Sequence, residues 1–119
     1  MARTTILISS HFPYLPVKVI VRQRSLDVET MMDTGFDGEI ILPPGLVTNG
    51  ELPFWYVDCK LANESIVKIP AFKCSLKLAN KKINEVTALI MGDEPVIGRE
   101  IIRYFKVILD HGRKIVVEK

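Results

Sequence analysis

The residues best placed to do chemistry lie together in Met31-Met32-Asp33-Thr34-Gly35-Phe36-Asp37-Gly38. An apolar run ends there in a carboxylate, a hydroxyl and a glycine. Such a run buries its side chains and delivers Asp33 to the rim of a core, where a carboxyl group can act as acid or base. Thr34 offers a hydroxyl to steady the turn. Gly35 and Gly38 allow backbone conformations and close approaches that a Cβ would forbid. Taken alone, Asp-Thr-Gly equally suits a plain turn after a strand, since all three residues favour turns. Two further stretches give it weight. One is the continuation Phe36-Asp37-Gly38-Glu39-Ile40-Ile41-Leu42-Pro43. The other lies about sixty residues on, where Pro95-Val96-Ile97-Gly98-Arg99-Glu100 places two apolar residues before Gly and Arg.

Other constellations carry less. His11 and His111 have no Cys or carboxylate at metal-ligand spacing, so no metal is expected. The serines have no nucleophile-elbow context. Nothing in the chain implies an organic cofactor. Trp55 and Tyr56 read as packing residues near a hairpin base.

The elements that must position Asp33 follow a period of two. Val17, Val19 and Val21 fall on one face of a strand. Leu26, Val28, Thr30 and Met32 fall on one face of a second, which runs straight to Asp33. Gln23-Arg24-Ser25 reads as the turn between them. Ile40-Ile41-Leu42 is a short strand ended by Pro43-Pro44-Gly45. Asn49-Gly50 and Pro53 mark a loop. Phe54 to Leu61 and Ile66 to Leu78 form a long hairpin around Ala62-Asn63-Glu64. Pro70, inside its second arm, belongs at an edge or bulge. Asn80-Lys81-Lys82 is a turn and Ile83 to Met91 a strand. Arg99 to Tyr104 is the one helical segment, with Glu100 in its first turn suiting the helix dipole. Phe105 to Leu109 and Lys114 to Val117 are closing strands joined at His111-Gly112. Short strands, frequent turns and almost no helix predict an all-β barrel or sandwich.

At 119 residues the chain is the size of one domain, residues 1–119. A hydrophobic fraction of 48% with 25% charged residues fits an ordinary soluble protein. The formal net charge of +2 is small and its cations are dispersed, which argues against a nucleic-acid partner. No apolar run is long enough for a membrane helix, and Ile6-Leu7-Ile8 is too short for a signal peptide. A cytoplasmic location is expected, with Cys59 and Cys74 reduced.

With these residues the chain resembles the retropepsin-like aspartic proteases, including their small prokaryotic relatives. The resemblance rests on Met31 to Gly35, on the hairpin around Asn63 in the place of a flap, and on Val96-Ile97-Gly98-Arg99 as the late motif. It spans about residues 15 to 110. It implies a closed or partly open acid-protease barrel, single-lobed, with one short C-terminal helix. It also implies a peptide-bond hydrolase with catalytic Asp33, Thr34 and Gly35. Substrate-binding positions would be Phe36, Asp37, Gly38, Asn63, Val96 and Arg99, with Asp37 paired to Arg99. Phe36 departs from the small residue usual in the retroviral enzymes, so their substrate preferences do not carry over.

An aspartic protease needs two carboxyl groups about one water, and this chain has one Asp-Thr-Gly. The resemblance therefore implies a homodimer that sets Asp33 beside its symmetry mate, with the apolar termini Ile6-Leu7-Ile8 and Ile115-Val116-Val117 as candidates for interface pairing. A peptide or protein would be the substrate. Two other readings remain: a protease-like dimer that binds peptides without cleaving them, and an unrelated barrel in which Asp-Thr-Gly is only a turn.

Overall fold

The computed structural model describes residues 6–47 and 55–119. The loop expected at Asn49-Gly50 and Pro53, and the hairpin start at Phe54, lie outside the described residues. Ten strands, one short α-helix and a 3-10 turn at Pro44–Leu46 are formed among the described residues: β1 Ile6–Ser9, β2 Tyr14–Val21, β3 Arg24–Met32, β4 Ile40–Leu42, β5 Trp55–Lys60, β6 Ile66–Leu78, β7 Lys81–Ile90, β8 Val96–Ile97, α1 Arg99–Ile102, β9 Lys106–Asp110 and β10 Lys114–Glu118. No helix among them is long and apolar enough to cross a membrane.

The alternation read in β2 becomes burial. Leu15, Val17, Val19 and Val21 point inward, while Lys18 between them stays in water. β3 pairs antiparallel with β2 from Tyr14↔Met31 to Val21↔Arg24. That register corrects the expected turn. The reversal takes two residues, Arg22-Gln23, with Arg22 at φ 55°, and Arg24 and Ser25 already lie in the strand. A two-residue reversal with left-handed backbone matches the twist of the strands it joins. The next turn shifts for the same reason: Ala79 and Asn80, at φ 50° and 62°, make the reversal and Lys81 opens β7.

The larger sheet runs β2-β3-β8-β4-β7-β6-β5, and a further β2–β6 pairing, Lys18↔Lys77 to Ile20↔Ser75, closes it into a ring. Only β5 hangs outside the ring, on the first half of β6. Pro70 sits where β6 has a partner on one side only: it faces Tyr56 of β5, and pairing with β7 begins at Ala71. The missing N–H therefore costs no ladder bond. The ring is filled by Leu15, Val19, Ile40, Leu42, Leu76, Val86 and Ile97, with Ile101 of α1 beneath. α1 stops at Ile102, shorter than the Arg99 to Tyr104 segment expected.

The terminal strands form a second sheet, β1-β10-β9. Leu7 faces Val117 and Ile8 faces Val116 within one chain. Ile115 and Val117 are fully buried in the chain's own core. The C-terminal strand is therefore the middle strand of this sheet. The edges left for another chain are β1 and β9, which corrects the expectation that strand Ile115-Val116-Val117 itself was available for pairing.

Candidate active site

Strand β8 is two residues long and sits between the strand that enters the Asp33 loop and the strand that leaves it. Met31 and Met32 of β3 pair parallel with Val96 and Ile97. Ile40 and Ile41 of β4 pair antiparallel with Ile97 and Val96. The loop 33–39 is thus anchored at both ends to one buried strand. Met32 N–H also donates to the carbonyl of Pro13 at 3.0 Å, and Met31 N–H to that of Pro95 at 2.9 Å.

Asp33 is the first residue beyond β3 and is half-buried. Its N–H donates to the Ile97 carbonyl at 3.0 Å, and its own carbonyl accepts from Phe36 N–H at 3.2 Å. Its Oδ1 accepts from Gly35 N–H at 2.8 Å. A Cβ on Gly35 would stand 3.1 Å from that oxygen, so glycine keeps the approach open. The carboxyl group is held by its own turn, with its position set by β8. Thr34 and Gly35 are exposed. The Thr34 hydroxyl has no partner within the described protomer, so the backbone bonds, and not Thr34, hold this turn.

Phe36 turns back under the loop. Its ring lies where a Cβ on Gly38 would fall, with Cζ at 2.5 Å and Cε1 at 2.8 Å. It also lies against Gly98, where a Cβ would meet Phe36 Cδ2 at 2.5 Å, the Phe36 carbonyl at 2.7 Å and the Gly38 carbonyl oxygen closer still. Backbone bonds complete the junction. Arg99 N–H donates to the Phe36 carbonyl at 2.9 Å, Glu100 N–H to that of Gly38 at 3.1 Å, and Gly98 N–H to that of Glu39 at 2.9 Å.

The two motifs are therefore joined by main chain and by one aromatic ring over two glycines. The expected Asp37–Arg99 ion pair is not formed in the protomer; both side chains are exposed, and solvation competes well with such a contact at a surface. Val96 is buried between Met31 and Ile41, which places it behind the loop.

The β5–β6 hairpin supplies a projecting arm. Its two faces separate cleanly: Trp55, Val57, Cys59, Val67 and Ile69 are half-covered on one side, and Tyr56, Asp58, Lys60, Ile66 and Lys68 are exposed on the other. On the outer side Lys68 and Asp58 make an ion pair at 3.2 Å. Asn63 is at the tip, where its Oδ1 accepts from Ser65 N–H at 3.1 Å and Ser65 Oγ–H at 2.6 Å.

Two contacts near the site had no local signal in the sequence. Glu39 Oε1 accepts from Thr87 N–H at 2.8 Å, tying the end of the Asp33 loop to β7. The Tyr14 hydroxyl donates to Glu94 Oε1 at 3.0 Å, tying β2 to the segment before β8. That hydrogen bond, with some desolvation and the Glu94 charge, raises the Tyr14 pKa. Partners 48 and 80 residues apart follow no short spacing. Among the described residues no group of three or more His, Cys, Asp or Glu side chains gathers where it could hold a metal ion.

This architecture has counterparts among solved structures. A retropepsin-like aspartic protease from Rickettsia conorii superposes with a TM-score of 0.66 at 14% identity, over 98% of this chain and 92% of that one. The fold is that of the retropepsin-like aspartic proteases. The solution structure of Simian Foamy Virus (mac) protease shows it again, with a TM-score of 0.57 at 13% identity, over 76% of this chain and 92% of that one. No protein-family model and no curated protein matches the sequence. Within this chain, Phe36 touches both Gly38 and Gly98, and Val57 of the hairpin lines a cavity together with Gly38 and Glu100.

Proposed function

We propose that the protein is an aspartic endopeptidase whose active site forms when two copies bring their Asp33 loops together. The observation that carries this reading is the Asp33 loop itself. A carboxyl group is fixed by Gly35 N–H and by the bond from its own N–H to Ile97, in a retropepsin fold, while the adjoining Thr34 and Gly35 stand uncovered. A second loop meeting the first about a two-fold axis would cover that surface and supply the second carboxyl group.

In such a site the paired carboxyl groups share one proton, because two like charges in contact cannot both ionise; this is established behaviour of aspartic protease dyads. The ionised Asp33 takes a proton from the water between them. The protonated Asp33 of the other copy hydrogen-bonds the scissile carbonyl as the water attacks. The Thr34 hydroxyls would meet partners across the axis. The β5–β6 hairpin would close over an extended peptide, its Trp55, Val57 and Ile69 side excluding water. Backbone groups near Gly38 and at the Asn63 tip would hold the peptide as a strand, with side-chain pockets alternating along it. Phe36 and Val96 would act from behind, by keeping the loop in place, and Asp37 and Arg99 would face the bound peptide.

The terminal sheet supports the dimer. Ile8, Val116 and Ile108 stand in one row across β1, β10 and β9. Ile8 is 58% and Ile108 39% exposed. An apolar row of this kind, flanked by two strand edges, is suited to another copy. Cys59 and Cys74 are free thiols, which fits the reducing cytoplasm as the place of action.

The test is cleavage of a diverse peptide mixture at several values between about pH 4 and pH 7, with Asp33→Asn as control. Asparagine keeps an oxygen for Gly35 N–H while removing the titratable group. The proposal expects cleavage by the parent and none by the variant. A parent that binds peptides and cuts none is instead a peptide-holding dimer.

A further inference from the structure

Beside the Asp33 loop lies a cavity of about 420 Å³ lined by Gly38, Glu39, Val57, Thr87, Leu89 and Glu100. Its walls come from four places: the end of the loop, the inner side of the β5–β6 hairpin, β7 and the first turn of α1. Val57 and Leu89 give it apolar sides, and two carboxylates, Glu39 and Glu100, reach it. We infer that this cavity takes a cationic side chain, lysine or arginine, from a bound peptide. The inference rests on the proposed peptide-cleaving reading for the presence of the peptide, and it adds a substrate class to it.

The chemistry of the lining supports a cation over a neutral chain. Lysine and arginine have apolar stems and a charged end, so a stem can lie along Val57 and Leu89 while the end reaches a carboxylate. Glu39 is the principal acceptor. One of its oxygens takes Thr87 N–H at 2.8 Å, which fixes the carboxylate, and no ion pair engages it among the described residues. A carboxylate already held in place gives a charge-assisted hydrogen bond without further ordering of its own side chain.

Of the cations nearby, Arg99 is exposed and does not line the cavity, and two others are already engaged. Arg103 is bonded to Glu100 Oε2 at 2.8 Å in an exposed pair, and exposed pairs of this type exchange partners at little cost. Lys73 lies beyond Thr87, donating to its Oγ1 at 3.2 Å and to the Glu85 carbonyl at 3.4 Å, with its ammonium 5.6 Å from the centre of the Trp55 ring. Asp33 and Asp37 add negative charge along the same loop. Among the described residues the lining itself carries two carboxylates, Glu39 and Glu100, and no cation.

Binding to the Asp33→Asn protein separates selectivity from cleavage. A fluorescein-labelled extended peptide is varied one position at a time to lysine, norleucine or glutamate, and affinity is read by fluorescence anisotropy. The expected result is a position, or two positions related by the two-fold axis, at which lysine binds about tenfold tighter than norleucine, equivalent to one charge-assisted contact. That preference should shrink with added salt and disappear when Glu39→Gln is added. Glutamine retains an oxygen for Thr87 N–H, so the fold of the loop is preserved. Glu100→Gln should reduce the preference less, because Arg103 already draws on that charge. No lysine preference at any position, or a preference that survives Glu39→Gln, overturns the inference. Cleavage of the same peptides by the parent is scored separately. Cleavage without charge preference refutes the cationic pocket and leaves the peptidase standing, whereas lysine-selective binding without cleavage does the reverse.

Discussion

Phe36 occupies the space that side chains on residues 38 and 98 would need, and this gives the loop a testable internal logic. On Gly38 the three atoms nearest an added methyl group all belong to the Phe36 ring; on Gly98 they include the carbonyl oxygens of Gly38 and Phe36. A ring can be removed by mutation and a carbonyl cannot. Gly38→Ala is therefore expected to cost roughly 1–3 kcal/mol, the usual range for overpacking. Much of that loss should vanish in the Phe36→Ala background, giving a coupling of about 1 kcal/mol or more. Gly98→Ala should stay destabilising in both backgrounds. Midpoints of urea unfolding at constant m-value measure all of these; additive Gly38 and Phe36 effects would show that the ring does not lock the loop. In the sequence, Gly38 was legible as a position needing a small residue, because it stands between Asp37 and an apolar strand. What it makes room for was not, since the ring comes from two residues back and the second glycine from sixty residues on. The Asp37–Arg99 pair was expected from the family resemblance, by position in the two motifs. Side-chain pairing at an exposed surface depends on rotamers that spacing does not set.

At the scale of elements, long alternating strands were readable and short, non-local ones were less so. β2 and β3 declare themselves by period two, and β6 by its length between turn residues. β8 has two residues, too few for any period, and was visible only as two apolar residues before a glycine. Its pairing with both β3 and β4 is a tertiary fact. The turns at Arg22-Gln23 and Ala79-Asn80 moved by a residue or two because neither contains the glycine that usually marks a two-residue reversal.

β6 also carries a buried titratable group. Burial, then the Glu39 charge, pushes the Cys74 thiol from an ordinary 9.0 up to about 12. The folded chain then keeps a proton that the unfolded chain releases. Stability from this group is fully present below pH 9.0 and is lost as pH rises through about 12. The slope is at most about 1.4 kcal/mol per pH unit. Chemical denaturation across that window should show a steeper loss for the parent than for Cys74→Ala. Equal slopes would mean the thiol is not shielded. Half-covered Cys59 should alkylate in the native protein at mildly alkaline pH, and Cys74 only on unfolding.

For the whole molecule, the sequence contained the fold class because its motif order, Asp-Thr-Gly, hairpin, then apolar-apolar-Gly-Arg, follows the order in which the retropepsin ring is built. It did not contain the arrangement of the ends. Two apolar termini suggested pairing between chains, yet β1 and β10 satisfy one another inside the protomer, leaving the β1 and β9 edges and the Ile8–Val116–Ile108 row outward. Under the proposed function, one Asp-Thr-Gly per chain would make the assembly part of the chemistry. If the dyad takes one carboxyl group from each of two copies, a chain lacking Asp33 poisons any pair it enters. Parent protein and Asp33→Asn are mixed at constant total concentration, allowed to exchange subunits, and assayed for peptide cleavage. Activity falling as the square of the parent fraction is the result this account predicts. Activity falling in direct proportion to that fraction would mean each chain works alone and would contradict it.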